Sequence, residues 1–367
     1  MHSGFSNRLS RIETVLEEAL PQNSTKKWTD MSFGSLPDAV TERHFENLIT
    51  PCRNLMLLGG KRWRPLLLVL CAEMAVERKK KQKNLSSEQA AVLLDDAYSL
   101  TPLVEFVHTA SLIQDDIEDG ADMRRGKPAA YIVSGLDTAL NASSWLYFEA
   151  SAFIESRSLP DEKKCRLYKL FTQELRRLHL GQAMDIQWHR QPDLIPSIDE
   201  YTTMVRCKTG TLASFAAQAG ILAGGGTEKE ASHAGEIAAE VGIGFQILDD
   251  VQNLTTGNPG KKRGDDIVEG KKSLPVLYHL QKHPEDTQKI AGLLAAAKND
   301  GINSPAVEKC VVLLNKSGAV EQAYNTGRVL IQDKSSALAS LYETTGKDGI
   351  SPVETLFADM LPPLKAE

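Results

Sequence analysis

The sequence predicts an all-α fold, and three observations carry that expectation. Apolar residues recur at helical spacing through nearly all of the 367 residues. No sustained alternation of the kind a half-buried strand needs is present. Pro and Gly punctuate long helical stretches, with the clearest breaks at 21–36, 78–83, Thr101-Pro102, 120–128, 191–196, 224–226, 257–264 and 299–305.

The first stretch mixes Arg8, Arg11, Glu13, Glu17 and Glu18 with Leu9, Ile12, Val15, Leu16 and Leu20. That is an amphipathic helix, not a signal peptide, which would need an uncharged apolar run. The run Glu77 to Lys83 reads as a solvated loop. No break is long enough to be a linker, so one α domain of about ten or more helices is expected over the whole chain. A chain of this length can bury a core and a deep internal cavity as well. No apolar run reaches the length of a spanning helix.

Composition narrows the function classes. The formal net charge is −6, so nucleic acid is not an expected partner. Five cysteines, odd in number and without a C-x-x-C, indicate neither a zinc ribbon nor a disulfide framework. A reducing cytoplasm fits best.

One helix stands out. Thr101 can N-cap it, Pro102 suits its first position, and Glu105 complements the positive end of its dipole. From Leu103 to about Asp119 it is apolar on most of its circumference, as a buried helix is. Yet it ends in Asp115-Asp116-Ile117-Glu118-Asp119. Carboxylates at a helix C-terminus oppose the macrodipole and repel one another, a local cost that points to an external cation. Asp115 and Asp119 share a face about 6 Å apart, which suits Mg²⁺, an ion that takes one or two carboxylates and completes its shell with water and phosphate oxygens. A second cluster, Asp249-Asp250-Val251-Gln252-Asn253, puts Gln246, Asp249 and Asn253 on one face and again closes an apolar stretch. Facing each other, the two clusters would cradle a diphosphate through Mg²⁺. Cations lie beside them in sequence: Lys61-Arg62-Trp63-Arg64-Pro65 after Gly59-Gly60, Arg124-Arg125, Lys208-Thr209-Gly210, and Lys261-Lys262-Arg263 to Lys271-Lys272. Arg is the natural bidentate phosphate partner and Lys a mobile point charge.

These motifs resemble, in order, those of the trans-isoprenyl diphosphate synthases, the family of farnesyl, geranylgeranyl and longer polyprenyl synthases. The matches run through Gly59 to Pro65, His108 to Asp119, Arg124 to Pro128, Gly181-Gln182 with Asp185, Lys208-Thr209-Gly210, Phe245 to Asp250, Gly264-Asp265-Asp266 and Glu269 to Pro275. They cover roughly residues 50–280. The resemblance implies an isoprenoid-synthase fold, a single-domain orthogonal helical bundle around a deep apolar cavity, and a homodimer. It implies that Lys61, Arg64, His108 and Arg125 hold isopentenyl diphosphate. Asp115, Asp119 and Asp249 would ligate Mg²⁺, three ions in all, around an allylic diphosphate: dimethylallyl, geranyl or farnesyl. Arg124, Lys208, Lys262 and Lys271 would neutralise that diphosphate, with Thr209 and Gln246 beside the nascent cation. Two positions depart from the pattern. Asn253 replaces the usual last aspartate, where it could still bond a metal-bound water, and Gln114 replaces the common His before the first cluster.

The implied reaction ionises the allylic C–O bond, lets the isopentenyl double bond attack C1, and loses one proton to the released diphosphate. Val107, Ala110 and Ser111, at i−8, i−5 and i−4 from Asp115, should point along the tunnel that receives the chain. Ala110 and Ser111 are too small to stop it one turn away. A deeper floor from Phe106, or from Trp145, Tyr147 and Phe148, gives a product of about C20 or longer, geranylgeranyl diphosphate first, with a farnesyl synthase as the alternative. A terpene cyclase would share the first cluster but has no use for Lys61, Arg64, His108 and Arg125. A non-catalytic partner subunit would not need both aspartate clusters. A carboxylate-bridged di-iron protein would use two E-x-x-H turns, and Glu105 to His108 and Glu230 to His233 have that spacing.

Overall fold

The computed structural model describes residues 3–82, 85–155, 159–257, 262–342 and 351–361. Lys83 and Lys261 lie outside the described residues. The helices are α1 (Ser6–Ala19), α2 (Lys26–Phe33), α3 (Glu46–Leu57), α4 (Trp63–Lys81), α5 (Ser87–Ser99), α6 (Thr101–Asp119), α7 (Ala130–Ser134), α8 (Leu136–Glu155) and α9 (Asp161–Arg190). They continue as α10 (Ile198–Val205), a π-helical turn (Arg206–Gly210), α11 (Thr211–Ala223), α12 (Glu228–Thr255), α13 (Asp265–Glu269) and α14 (Leu274–Lys282). Last come α15 (Thr287–Asp300), α16 (Pro305–Lys316), α17 (Ala319–Ser340) and α18 (Pro352–Ala358). Among the described residues the only strands are a two-residue hairpin, Met123–Arg124 against Lys127–Pro128. The fold is all-α, as the spacing predicts.

Two compact units emerge, Met1–Gln173 with Ser214–Gly235 and Ala339–Leu356, and Glu174–Ala213 with Glu236–Leu338 and Phe357–Glu367. Their segments interleave along the chain, so no linker marks them in the sequence.

Several local expectations change. The stretch 21–36 is not simply a break, because it contains α2, N-capped by Thr25. Arg78 to Lys81 form the last turn of α4 and not a loop. Four cations there complement the negative end of the helix dipole. Thr101 is the first residue of α6, not its cap, and its hydroxyl donates to the Tyr98 carbonyl. The other end of α6 closes on Gly120 at φ 65°, a left-handed position that glycine takes without strain.

In the first unit α2 docks on α8 through aromatic rings. Trp145 stacks on Phe33 with centroids 6.1 Å apart and meets Trp28 edge-on. Under this contact Glu149 is buried, accepting a hydrogen bond from Ser32 Oγ at 2.6 Å. Burial pushes its carboxyl up to about 7, against the lowering effect of that hydrogen bond. A carboxyl raised on folding stabilises most below its unfolded range and loses that contribution as pH rises towards 7. The thermal midpoint should therefore fall between pH 5 and 8 by ~2 °C or more. Glu149→Gln should flatten the profile, and an unchanged profile would remove this assignment.

Close glycine contacts hold the second unit together. A Cβ on Gly181 would lie 2.4 Å from the Lys208 backbone nitrogen, and one on Gly242 would lie 2.7 Å from Gly210 Cα. α9, the π-helical turn and α12 therefore approach backbone to backbone around Lys208. An open pocket of about 760 Å³ lies among residues 24–45 and contains none of the chemically marked side chains.

Candidate active site

In the first unit, the segment before α4 is shaped by Gly59 and Gly60, at φ 80° and 149°. Arg125 Nη1 donates to the Gly59 carbonyl, and a Cβ on Gly60 would lie 3.1 Å from Arg125 Nη2. Arg64 lies over the Trp63 ring at 4.4 Å, and Lys61 is exposed. His108 lies on α6. Burial, then Arg64, Arg125, Arg124 and Arg62, hold its imidazole well below the usual range. It is neutral in this structure, and its ring N–H can donate a hydrogen bond to an anion.

The end of α6 divides its carboxylates. Asp115 and Asp119 are partly exposed, whereas Asp116 is fully buried. Asp116 accepts from Arg124 Nε at 2.8 Å and also from Arg124 Nη2, whose distance to Asp115 Oδ2 is 3.4 Å. Asp116 thus fixes the guanidinium that borders Asp115. Sequence reading passed over it, yet it lies in register with the buried Phe106, Ala110 and Ile113.

The second unit repeats the arrangement. Asp249 is exposed and Asp250 buried. Asp250 accepts from Tyr201 Oη at 2.7 Å, Gln246 Nε2 at 3.1 Å and the Leu274 N–H at 3.3 Å. Burial raises its carboxyl to about 6. The amide of Gln246 is consequently oriented, and its Oε1 accepts from Thr209 Oγ1 at 2.9 Å. Tyr201 and Asp250 are the residues that the sequence reading missed here. α12 also runs on to Thr255, so this cluster does not end its helix. Asn253 is fully buried, its Oδ1 accepting from the Asp266 N–H. Through that oxygen it holds the start of α13, while its Nδ2 is buried without a hydrogen-bond partner.

Two cations of this unit, Lys208 and Lys271, pair with carboxylates. Lys208 Nζ is 2.6 Å from Asp185, and Lys271 pairs with Glu269 and lies 3.8 Å from Asp266. Lys272 is buried, donating to the Trp188 and Gly270 carbonyls, which anchors the segment bearing Lys271. Lys262 is exposed, and its N–H donates to Asp265.

Among the chain-length candidates, Ser111 is partly exposed beside Asp115, while Ala110 and Val107 have essentially no accessible surface. In this structure neither Ala110 nor Val107 borders open space. Phe106 packs edge-on against Phe153, and Trp145 belongs to the α2 contact. Phe148 is 76% exposed on the outside of α8, so it forms no internal floor within this chain. The di-iron alternative loses its glutamates. Glu105 is bound by Arg62, and Glu230 by Arg78 and Thr227. Among the described residues no group of three or more His, Cys, Asp or Glu could hold a metal by itself.

On an all-α framework each unit thus carries an aspartate that is at least partly exposed beside a buried one, with guanidinium or ammonium groups near it in the same unit. The Polyprenyl synthetase family profile matches residues 45–312. A geranylgeranyl pyrophosphate synthase of Penicillium crustosum is 36% identical over 207 residues, 56% of this chain and 58% of that protein. Another, from Neocamarosporium betae, is 32% identical over 67% of this chain and 68% of its own length. A short chain isoprenyl diphosphate synthase of Methanocaldococcus jannaschii is 30% identical over 74% of this chain and 77% of its own. The crystal structure of geranylgeranyl pyrophosphate synthetase from Pyrococcus horikoshii superposes with a TM-score of 0.77 over 97% of this chain and 96% of that one, at 24% identity, a likeness of fold. This chain belongs to the polyprenyl synthetase family.

Proposed function

We propose that this chain condenses isopentenyl diphosphate with an allylic diphosphate to give a trans-polyprenyl diphosphate of about C20. The observation that carries the reading is the grouping of Arg64, Arg124 and Arg125 about a neutral His108 in the first unit, beside the partly exposed carboxylates of α6. So many positive charges beside apolar helix faces suit a polyanion with a hydrocarbon tail. The names of the fungal relatives support the substrate class and length.

The donor set fits Mg²⁺. Asp115, Asp119 and Asp249 are hard oxygen donors that are at least partly exposed, whereas their neighbours Asp116 and Asp250 are buried. With too few protein ligands for a closed cage, each ion would be completed by substrate oxygens. Bound there, Mg²⁺ supplies charge neutralisation to the diphosphate leaving group. Arg124, Lys208 and Lys271, with Lys262 from the neighbouring loop, would add fixed positive charge to the same group. Lys61, Arg64 and Arg125 would bind isopentenyl diphosphate, and His108 would donate a hydrogen bond to it. The Thr209 and Gln246 oxygens would stabilise positive charge at allylic C1. The isopentenyl double bond then forms the new C–C bond, and the proton it gives up passes to released diphosphate. No protein nucleophile is needed.

The test is radiolabelled isopentenyl diphosphate with dimethylallyl, geranyl and farnesyl primers in Mg²⁺, followed by product sizing. Label in a C20 product is expected; none with any primer would remove the reading. Ser111→Phe adds a ring one helical turn from Asp115, about 5.4 Å along the axis and near one isoprene unit. It should shift product towards C15, and an unchanged distribution would show that residue 111 does not border the growing chain. A homodimer in a reducing, cytoplasmic setting completes the proposal. The five cysteines are unpaired, and among the described residues no helix is long and apolar enough to cross a membrane.

A further inference from the structure

Only two described non-glycine residues have positive φ, Arg62 at 46° and Arg125 at 51°. Both act on one segment. Arg125 donates to the Gly59 carbonyl, and Arg62 Nη2 donates to the Met56 carbonyl at 2.6 Å, just before it. Left-handed backbone at a bulky residue persists only where its surroundings fix it, and such residues gather at functional sites.

The surroundings of Arg62 are unusual. It is 4% exposed, yet bonded on every side. Nε and Nη2 donate to the two oxygens of Glu13 at 2.7 and 3.2 Å, and Nη1 donates to Glu105 at 2.5 Å. Glu13 lies on α1, outside residues 45–312 that the family profile matches. Glu105 lies on α6, one turn before His108. A buried guanidinium in these contacts is held in one geometry, and it is flanked in sequence by Lys61 and Arg64.

We propose that Arg62, clamped by Glu13 and Glu105, is a positioning residue that sets the Gly59–Arg64 segment for isopentenyl diphosphate, so that α1 is part of the binding apparatus. The proposal rests on the function proposed above. Arg62 takes no part in the chemistry; it holds Lys61 and Arg64 where the diphosphate is bound. Its own charge is met by two carboxylates.

Glycine tolerates the backbone angle at position 62 but removes the clamp. Arg62→Gly should therefore weaken isopentenyl diphosphate roughly 10-fold or more, and Glu13→Ala about 3- to 10-fold. The KM of the allylic primer and kcat should stay within about 2-fold, because neither variant touches those groups. Arg62→Lys, which keeps the charge and loses the fork, should fall between wild type and glycine. Binding of isopentenyl diphosphate alone, by calorimetry, is measured beside the two Michaelis constants. Wild-type binding by both Arg62→Gly and Glu13→Ala, or an equal rise in both Michaelis constants, would overturn the proposal and leave the cluster a purely structural role. If Arg62→Gly does not fold, Glu13→Ala decides, since the Glu13 side chain is 37% exposed. Wild type that binds isopentenyl diphosphate but condenses nothing refutes the proposed function, while the binding comparison still judges the clamp. Wild type that does not bind it overturns both.

Discussion

Asp115→Asn or Asp249→Asn should lower turnover on the order of 10³-fold with little loss of folding. Asp115 is partly open on the last turn of α6, and Asp249 is exposed on α12. Removing the Asp115 charge near the end of α6 relieves an unfavourable dipole interaction of about 0.3–1 kcal/mol, and Asp249, short of the end of α12, is exposed to solvent. Folding therefore loses little while the proposed metal loses a ligand. The adjacent residue is the control. Asp116 is buried against Arg124, and neutralising it leaves a largely buried guanidinium poorly compensated. Asp116→Asn should cost about 3 kcal/mol of stability, measured by denaturant unfolding before any kinetics. Chelation by EDTA should abolish turnover in the wild type, and added Mg²⁺ should restore it. Full turnover in excess chelator would falsify the metal assignment.

Arg64→Ala and Arg124→Ala should separate the two substrates. The first should raise the KM of isopentenyl diphosphate about 10- to 100-fold and leave that of the allylic primer nearly unchanged. The second should do the reverse, with a further consequence the structure adds. Arg124 donates twice to Asp116, so Arg124→Ala also strands a buried carboxylate and should lower the thermal midpoint. Arg64 lies over Trp63 on a partly exposed turn, where truncation is milder. Equal effects of both variants on both Michaelis constants would sink the assignment of separate roles.

Much of this was legible in the sequence because it is written in period and charge. Helical spacing gives the all-α fold, and the i, i+4 spacing of Asp115 and Asp119 gives their shared face. The order of the motifs gives the family. Other features depend on which neighbour arrives in space. Asp115 and Asp116 look alike as letters; only the buried register of Phe106, Ala110 and Ile113 separates them. Nothing near Asp250 announces Tyr201, 49 residues away. Asn253 reads in sequence as a residue that could bond a metal-bound water; what the sequence does not show is that its Oδ1 accepts from the start of α13. Ala110 read as a tunnel residue from helix geometry, but that geometry does not say what packs against it.

The π-helical turn at Arg206–Gly210 has a consequence for how this chain can change. Its hydrogen bonds reach five residues back instead of four, so it holds a surplus residue between α10 and α11. Deleting any one residue there would restore a regular helix and turn α10 by about 100° about its axis. Tyr201 would leave Asp250, and the orientation of Gln246 would go with it. Length here is therefore as constrained as residue identity: substitutions at Cys207 leave the offset intact, whereas a single-codon deletion shifts a whole face. Drift in this region should proceed by replacement and not by indels.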